Sequence, residues 1–274
     1  MIITRNIEEF NQARGNLSNS IGFVPTMGAL HEGHISLIKQ AQEDNDIVIV
    51  SIFINPTQFL EGEDLETYPR REQGDIEICK RAGVDILFMP NISDMYSSDE
   101  LKILAPLKAG YILEGESRAG HFDGMLQIVM KLLNLVNPTK AYFGKKDAQQ
   151  LSLIKKMVKD YFIRVEIVAC NIIRDNQGLA LSSRNIYLNP SQKITALKLS
   201  NSLNVAVKSI WQGELEVDKI KDIMVNVLDG VTKIEYVEIV DYEFRAIDKI
   251  EINNTIILVA CFVGDTRLID NIWI

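Results

Sequence analysis

The chain has 274 residues, of which 47% are hydrophobic and 24% are charged, and its formal net charge is −8. These values are typical of a globular protein with one large or two smaller α/β domains, and they argue against a general nucleic-acid-binding protein. The three cysteines lie far apart, no apolar run reaches about 18 residues, and the N-terminus lacks the pattern of a signal peptide. We therefore expect a cytoplasmic protein that binds neither membranes nor nucleic acids.

The first predicted elements are a short helix over residues 7–16 and a short buried strand over residues 21–24. The next stretch, residues 25–34, reads PTMGALHEGH and leads into a segment with the apolar periodicity of a helix. A glycine-containing loop between a strand and a helix places backbone N–H groups at the positive end of the helix dipole. Such an end binds phosphate, so this junction is predicted to be a phosphate site.

Four residues of this junction define what kind of site it is. Gly28 and Gly33 have the spacing of a P-loop, but His34 stands where a P-loop requires lysine, which excludes a Walker A site. His31 and His34 are three residues apart and can face the same way from the first helical turn. Such a pair is also found in metal sites and in purely structural roles, and this stretch alone leaves those alternatives open.

The second predicted strand, residues 46–54, is a continuous apolar and β-branched run of the kind buried on both faces of a parallel sheet. The polar loop NPTQF, residues 55–59, follows at the carboxyl end of this strand. Ligands bind at that edge in open α/β sheets, which makes Asn55 and Gln58 candidate ligand-binding residues. Ordinary turn chemistry explains the same two residues equally well on local grounds.

A loop follows that contains Tyr68, and after it a helix is predicted over residues 72–82 and a strand over residues 84–89. A loop-rich section then places Arg118 and His121 before another helix. Apolar residues recur in that helix at 0, 3, 4, 7, 8 and 11, which is the pattern of a helix packed against a core. The members of this stripe are Met125, Ile128, Val129, Leu132, Leu133 and Val136.

A second strand, turn and helix are predicted at residues 140–143, 144–147 and 148–160. Asp147 is well placed as the N-cap of the helix. Two lysines next to it, Lys145 and Lys146, oppose the helix dipole, and such a local conflict is expected at a functional site that binds an anion. They can also be simple solvated charges.

The last strand of this part covers residues 165–170, and the loop that follows contains the sequence SSR at residues 182–184. Two hydroxyl groups and a guanidinium suit phosphate binding, although the same sequence also suits a plain N-cap. The composition changes afterwards, with helices near 191–211 and 217–229 and strand-like runs at 233–240 and 254–263. We place a domain boundary near residues 176–184.

Five separated motifs occur in the order seen in one family: PTMGALHEGH, NPTQF, YPR, FGKKDAQQ and LALSSRN. Together they resemble the pantothenate synthetase family, one of the HIGH-motif nucleotidyltransferases related to class I aminoacyl-tRNA synthetases, and the resemblance covers nearly the whole chain. Two departures stand out: Lys145 replaces the usual glutamate, and Leu181 replaces the usual methionine. Lys146 still matches the catalytic lysine of the family, so we expect altered charge near the site and not lost activity.

The resemblance implies an α/β fold, with a Rossmann-like parallel sheet flanked by helices and a smaller C-terminal α+β domain. Residues 1–180 would bind ATP and pantoate, and residues 181–274 would cover the site. The implied reaction joins pantoate to β-alanine with ATP and Mg²⁺, through a pantoyl adenylate, and yields pantothenate, AMP and pyrophosphate. The protein would act as a homodimer.

The resemblance also assigns residues to roles. His34, His31 and Lys146 would be catalytic. ATP would be bound by Met27, Gly28, His31, His34, Gly144, Lys146, Asp147, Ile173, Leu181, Ser182, Ser183 and Arg184. The acid substrate would be bound by Gln58, Gln150, Asn55, Tyr68, Arg118 and His121. Asp75 would be a metal ligand.

Two alternatives remain at this stage. One is a nucleotidylyltransferase, which would carry out the same first half-reaction and leave the nucleotide on its product. The other is a nucleotide sensor or assembly module that has kept the fold without catalysis, although the three histidines, Lys146 and Arg184 speak against it.

Overall fold

A computed structural model describes residues 1–15 and 17–274; Asn16, the last residue of the predicted first helix, lies outside the described residues. The chain divides into two compact units, residues 1–144 with 153–170 and residues 145–152 with 171–274. What each predicted domain does, with the division at residue 180, stays a prediction.

The first unit is built on a parallel sheet of six strands, which confirms the predicted fold class. The strands are β1 (Ile2–Thr4), β2 (Ile21–Thr26), β3 (Ile47–Ile52), β4 (Ile86–Phe88), β5 (Lys140–Gly144) and β6 (Glu166–Cys170). Their order is β1-β4-β3-β2-β5-β6, so the direction of winding reverses between β2 and β5. Ligands of open α/β sheets bind outside the carboxyl ends of the strands at such a reversal.

Helices flank this sheet, and the longer ones carry an apolar stripe that must be buried. They are α1 (Ile7–Arg14), α2 (Glu32–Asp44), α3 (Glu72–Arg81), α4 (Ile92–Met95), α5 (Glu114–Ser117), α6 (His121–Val136) and α7 (Ala148–Asp160). All six residues of the stripe predicted for α6 are buried. The strand predicted over residues 84–89 is shorter in the structure, because only residues 86–88 pair with β1 and β3.

The second unit contains a three-stranded antiparallel sheet and two helices, the smaller α+β domain that the sequence predicts. Its elements are α8 (Pro190–Trp211), α9 (Val217–Val227), β7 (Lys233–Asp241), β8 (Thr255–Val263) and β9 (Thr266–Trp273). Leu199 and Leu203 of α8, Ile220 of α9 and Ile257 and Val259 of β8 belong to one buried apolar cluster. In the part of the chain that the structure describes, none of the helices is long and apolar enough to span a membrane.

Candidate active site

The start of α2 is organised by its two histidines. His31 is the N-cap, and its Nδ1 accepts a hydrogen bond of 3.1 Å from the backbone N–H of Gly33. The Nδ1 of His34 accepts in return from the N–H of His31 at 3.3 Å, which closes a capping box. A side chain at Gly33 would place its Cβ 2.8 Å from the His31 ring, so the ring would have to move out of its capping position.

This capping box determines which ring nitrogens carry protons. A neutral imidazole has one accepting and one donating nitrogen, so an imidazole that accepts at Nδ1 carries its proton at Nε2. His31 and His34 therefore each carry an Nε2–H, and their ring centroids lie only 4.1 Å apart. Two N–H donors at the positive end of a helix are suited to phosphate oxygens.

Asp75 fixes the turn that leads into α2. It is buried, and its two carboxylate oxygens accept from the N–H groups of Ala29 and Leu30, each at 2.8 Å. These bonds hold Gly28 and Ala29 in the left-handed region, at φ 85° and 50°. Burial raises the pKa of Asp75, and the two backbone hydrogen bonds oppose that rise.

The predicted metal role of Asp75 finds no support in this geometry, because both of its oxygens are bound to backbone N–H groups. Within residues 1–15 and 17–274, no group of three or more His, Cys, Asp or Glu side chains is placed to hold a metal ion. The contacts of Asp75 make it a support for the turn that leads into α2.

Asn55 holds the loop after β3. Its Nδ2 donates to Gln58 Oε1 at 3.1 Å and to the Gly124 carbonyl at 3.0 Å. Its Oδ1 accepts from the hydroxyl groups of Tyr96 and Thr57, at 2.5 and 3.0 Å. The amide of this buried residue is therefore used by the protein itself, in two bonds within the loop and two to residues far away in the chain.

The bond from Asn55 holds the Gln58 side chain so that its Nε2 faces a weak hydrogen-bond acceptor, the sulfur of Met27. Its Oε1 is fixed by Asn55, and its Nε2 donates to the sulfur of Met27 at 3.0 Å. A thioether is a poor hydrogen-bond acceptor. A carboxylate or hydroxyl oxygen that replaced the sulfur would make a stronger bond, so Gln58 retains its predicted suitability for an acidic, hydroxylated substrate.

Arg118 and His121 contact the same loop through the backbone carbonyl of Gln58. Arg118 pairs with Glu63 through two bonds of 2.5 and 2.6 Å and also donates to the Gln58 carbonyl at 3.3 Å. His121 Nδ1 lies 2.7 Å from that carbonyl, and Arg118 Nη1 lies 3.1 Å from His121 Nε2. Burial opposes ionisation of Glu63, but the bonds from Arg118 lower its pKa on balance. Arg118 and His121 therefore both contact the backbone carbonyl of Gln58.

Tyr68, also predicted to bind substrate, packs edge-on against Phe59 at 5.7 Å between ring centroids.

The lowered pKa of His121 predicts that stability depends on pH. Burial, followed by the charge of Arg118, lowers its pKa from 6.5 to about 4. A folded-state pKa below the unfolded value means that the neutral ring stabilises the fold above about pH 6.5, and that this stability is lost as the pH falls toward about 4. A difference of about 2.5 pKa units corresponds to about 3 kcal/mol.

We expect the free energy of unfolding to fall more steeply in the wild type than in His121→Gln between about pH 7 and about pH 4. Glutamine supplies a hydrogen-bond donor and an acceptor in place of the two ring nitrogens but cannot titrate. The carboxylates titrate in both proteins. Denaturant unfolding at a series of pH values measures the difference. Equal slopes in the two proteins would show that His121 does not titrate with folding.

Gly124 is a residue of this region that the sequence analysis did not identify. A Cβ at this position of α6 would lie 2.2 Å from the Thr57 carbonyl oxygen and 2.8 Å from the Gln58 nitrogen. α6 therefore packs directly against the backbone of the loop that carries Gln58. The available signal was a glycine inside an amphipathic helix, where it costs about 1 kcal/mol relative to alanine and so points to a packing or functional reason.

Gly144 is the last residue of β5 in the first unit, and the other predicted residues belong to the second unit. Asp147 precedes α7, and its carbonyl accepts the first hydrogen bond of that helix, from Leu151 at 2.9 Å. Lys146 Nζ lies 3.6 Å from Asp147 Oδ1. Lys145 instead contacts Asn171 Oδ1 at 3.2 Å and lies 5.6 Å from the centroid of the Trp273 ring. Gln150, in the first turn of α7, is half-buried.

The SSR sequence forms the start of a short 3₁₀ helix, Ser183–Tyr187. Ser182 is its N-cap, and its hydroxyl oxygen accepts from the Arg184 N–H at 3.3 Å, so the plain capping interpretation holds for this residue. The Leu181 N–H donates to the Ile173 carbonyl at 2.9 Å, which brings these two predicted ATP-binding residues together.

Comparison with known proteins covers the whole chain. A sequence model of the family described as pantoate-beta-alanine ligase matches residues 2–273. The pantothenate synthetases of Aliarcobacter butzleri and Campylobacter fetus subsp. fetus are 57% and 53% identical over 274 residues, which is 100% of this chain and of each relative.

Two solved structures give the same result. The pantothenate synthetase of Thermus thermophilus is 35% identical with a TM-score of 0.94, and 99% of each chain is covered. The pantoate-beta-alanine ligase of Francisella tularensis is 41% identical with a TM-score of 0.82, and 100% of this chain and 97% of that chain are covered. The Francisella protein is complexed with beta-gamma ATP and beta-alanine.

Proposed function

Since the chain belongs to the pantoate–β-alanine ligase family, we propose that it condenses pantoate with β-alanine in an ATP-dependent reaction that yields pantothenate, AMP and pyrophosphate. The observation that carries this proposal is the capping box of His31 and His34, which holds two Nε2–H donors at the start of α2. Donors held in advance at the place where negative charge develops are worth about 10²–10³ each in rate.

In the first half-reaction, a carboxylate oxygen of pantoate attacks the α-phosphorus of ATP, and the bond from that phosphorus to the bridging oxygen breaks. Pyrophosphate leaves, and pantoyl adenylate remains. Negative charge grows on the phosphate oxygens during this step, and the Nε2–H of His34, supported by His31, is the donor that we assign to it. The ammonium group of Lys146 is assigned to the same phosphate. In the second half-reaction, the β-alanine amine attacks the acyl carbon, loses a proton and displaces AMP.

Neutral amides suit the acid substrate. An arginine would neutralise the carboxylate that must attack, whereas Gln58 and Gln150 can orient the acid and its hydroxyl groups without doing so. Asn55, Arg118 and His121 act indirectly in this proposal, because their contacts fix the Gln58 loop. Tyr68 supports it by packing.

The proposal assigns the rest of the ATP site by chain position. Gly28 and Met27 lie in the turn at the carboxyl end of β2, while Gly144 ends β5 and Asp147 lies in the turn after it. The loop residues are Ile173, Leu181, Ser182, Ser183 and Arg184. We assign the hydroxyl and guanidinium groups of the SSR sequence to the departing pyrophosphate, which requires several charge-assisted hydrogen bonds.

We propose that magnesium is bound to the ATP phosphates when the nucleotide binds. Among the residues that the structure describes, no cluster of protein ligands is placed to hold a metal ion. Magnesium commonly keeps most of its contacts to phosphates and water. We therefore propose that the magnesium complex of ATP is the substrate.

The proposal also includes a homodimer and a cytoplasmic location. Leu101, Leu104 and Leu107 are 93%, 69% and 85% exposed and lie close together in the chain. A second subunit that covered this apolar segment would remove it from water. A reducing compartment suits Cys79 and Cys261, which are buried thiols.

The decisive experiment is an assay of AMP and pyrophosphate release with each substrate omitted in turn. We expect pantoate alone to support pyrophosphate release limited to about one turnover, and β-alanine to be required for continuous AMP release. A product that retains the nucleotide would instead indicate a nucleotidylyltransferase. No release under any combination would indicate a nucleotide-binding protein without this activity.

A further inference from the structure

An ion pair between a half-buried arginine and a buried aspartate fixes the end of β9 in the second unit. The Arg174 guanidinium binds both carboxylate oxygens of Asp270, at 2.5 and 2.9 Å, and only 3% of the Asp270 side chain is exposed. The same carboxylate accepts from the backbone N–H of Asn271 at 2.8 Å. A bidentate pair with this additional bond leaves the backbone at residues 270 and 271 little freedom.

The Asn271 side chain connects this fixed strand to the turn before α7. Its Nδ2 donates to the backbone carbonyls of Lys145 and Lys146, at 2.9 and 2.7 Å. Its Oδ1 accepts from the indole N–H of Trp273 at 3.0 Å. The indole can only donate, so it determines which end of the amide faces the two carbonyls. The side chain is buried, and both of its polar ends are used.

These two bonds set the direction of the neighbouring peptide N–H groups. In a planar trans peptide, the carbonyl and the following N–H point in opposite directions. The carbonyls of Lys145 and Lys146 point at Asn271, so the N–H groups of Lys146 and Asp147 point away from it. Successive N–H groups aligned in this way, together with the Lys146 ammonium, form an anion-binding arrangement at the start of a helix.

From these contacts we infer that Asn271 is a positioning residue for the Lys145–Lys146–Asp147 turn and acts on phosphate transfer through that turn. The inference rests on the proposed function, in which Lys146 stabilises the transferring phosphate. Asn271 lies far from Lys146 in the chain and carries no charge, and its effect depends on the two donated hydrogen bonds. The Arg174–Asp270 pair and Trp273 hold it in place.

The test compares Asn271→Ala with the wild type and repeats the comparison in a Lys146→Ala background. We expect kcat/KM for ATP to fall by about 10–50-fold in the otherwise wild-type protein, because a displacement of about 1 Å at a reacting group can cost up to about 10²-fold. The loss should be clearly smaller when Lys146 is already absent, since residues that act as one unit are not additive. A purely structural role would give the same loss in both backgrounds.

Two further variants keep the inference falsifiable. Ile220→Val removes one buried methyl group from the core of the same unit, so it lowers Tm without touching the turn and should keep wild-type kinetics. Trp273→Phe keeps an aromatic ring and loses the N–H that orients the Asn271 amide. It should lower kcat/KM for ATP by less than Asn271→Ala does, and it provides a test if Asn271→Ala does not fold. Wild-type kinetics in Trp273→Phe and in any folded Asn271 variant, or equal losses in both backgrounds, would overturn the inference.

Failure of the inference and failure of the proposed function give different results. Without pantoate- and β-alanine-dependent AMP release in the wild type, the proposed function itself is wrong. With that activity present, the Asn271 comparison decides the inference alone.

Discussion

Replacing His34 by alanine should lower the rate of pantoyl adenylate formation by about 10²–10³, the cost of one lost transition-state donor. The ring supplies an Nε2–H because its Nδ1 accepts from the His31 N–H at 3.3 Å. Alanine removes the donor and the capping bond together, and the capping bond is worth about 1 kcal/mol of stability. The rate should therefore change much more than the fold.

The measurement is pantoate-dependent exchange of pyrophosphate into ATP, which reports the first half-reaction alone. Ser36→Ala is a matched control in the same turn of α2. It removes a local hydrogen bond of 2.7 Å to the Gly33 carbonyl, but no group assigned to phosphate. Exchange close to the wild-type rate in His34→Ala, with both variants folded, would remove His34 from the mechanism.

The start of α2 shows what the sequence could predict. The strand, the glycine-containing loop and the apolar period after it predicted a helix start near His31 and His34, and the structure has α2 beginning at Glu32 with His31 as the cap. The mutual capping was not predicted, because spacing shows only that two side chains share a face. Which atoms accept, and therefore which nitrogen carries the proton, follows from backbone geometry.

Charged residues inside recognisable motifs were harder to assign. Asp75, Arg118 and His121 are bound in the structure to backbone groups of the Leu30 turn and of Gln58, and their contact with a metal or a substrate stays a prediction. A sequence pattern shows that a charged group stands near a site. The tertiary partner decides whether the group faces the ligand or supports the backbone behind it.

The roles of Gly124 and Asn271 could not be predicted from the sequence. Each acts through backbone atoms that lie far away in the chain, the Thr57 carbonyl for Gly124 and the Lys145 and Lys146 carbonyls for Asn271. Local propensity gives no information about such contacts, since the partner is determined by how the elements pack. In contrast, α7 was predicted at its observed bounds, Ala148–Asp160, because its apolar period and its cap are local.

Replacing Gly124 by alanine should reduce kcat/KM for pantoate by about 10²-fold, the scale of a roughly 1 Å displacement at a binding group. The new Cβ would lie 2.2 Å from the Thr57 carbonyl oxygen, and no flexible side chain can move to relieve that contact. The backbone that carries Gln58 must shift, and the bond from Asn55 to the Gly124 carbonyl must lengthen with it. Overpacking of this kind should also lower the free energy of unfolding by about 1–3 kcal/mol.

Gly74→Ala is the matched control for this change, because Gly74 is an exposed helical glycine of the same unit whose Cβ would meet nothing closer than 3.8 Å. Alanine there should raise stability by about 0.5–1 kcal/mol and leave the kinetics unchanged. KM for ATP separates the two possible effects of Gly124→Ala. A shift confined to the Gln58 loop should affect pantoate and leave ATP binding nearly intact, since the start of α2 is held independently by Asp75. Equal losses for both substrates would show that α6 supports the whole site, and wild-type kinetics for pantoate would show that the position of the loop does not depend on this glycine.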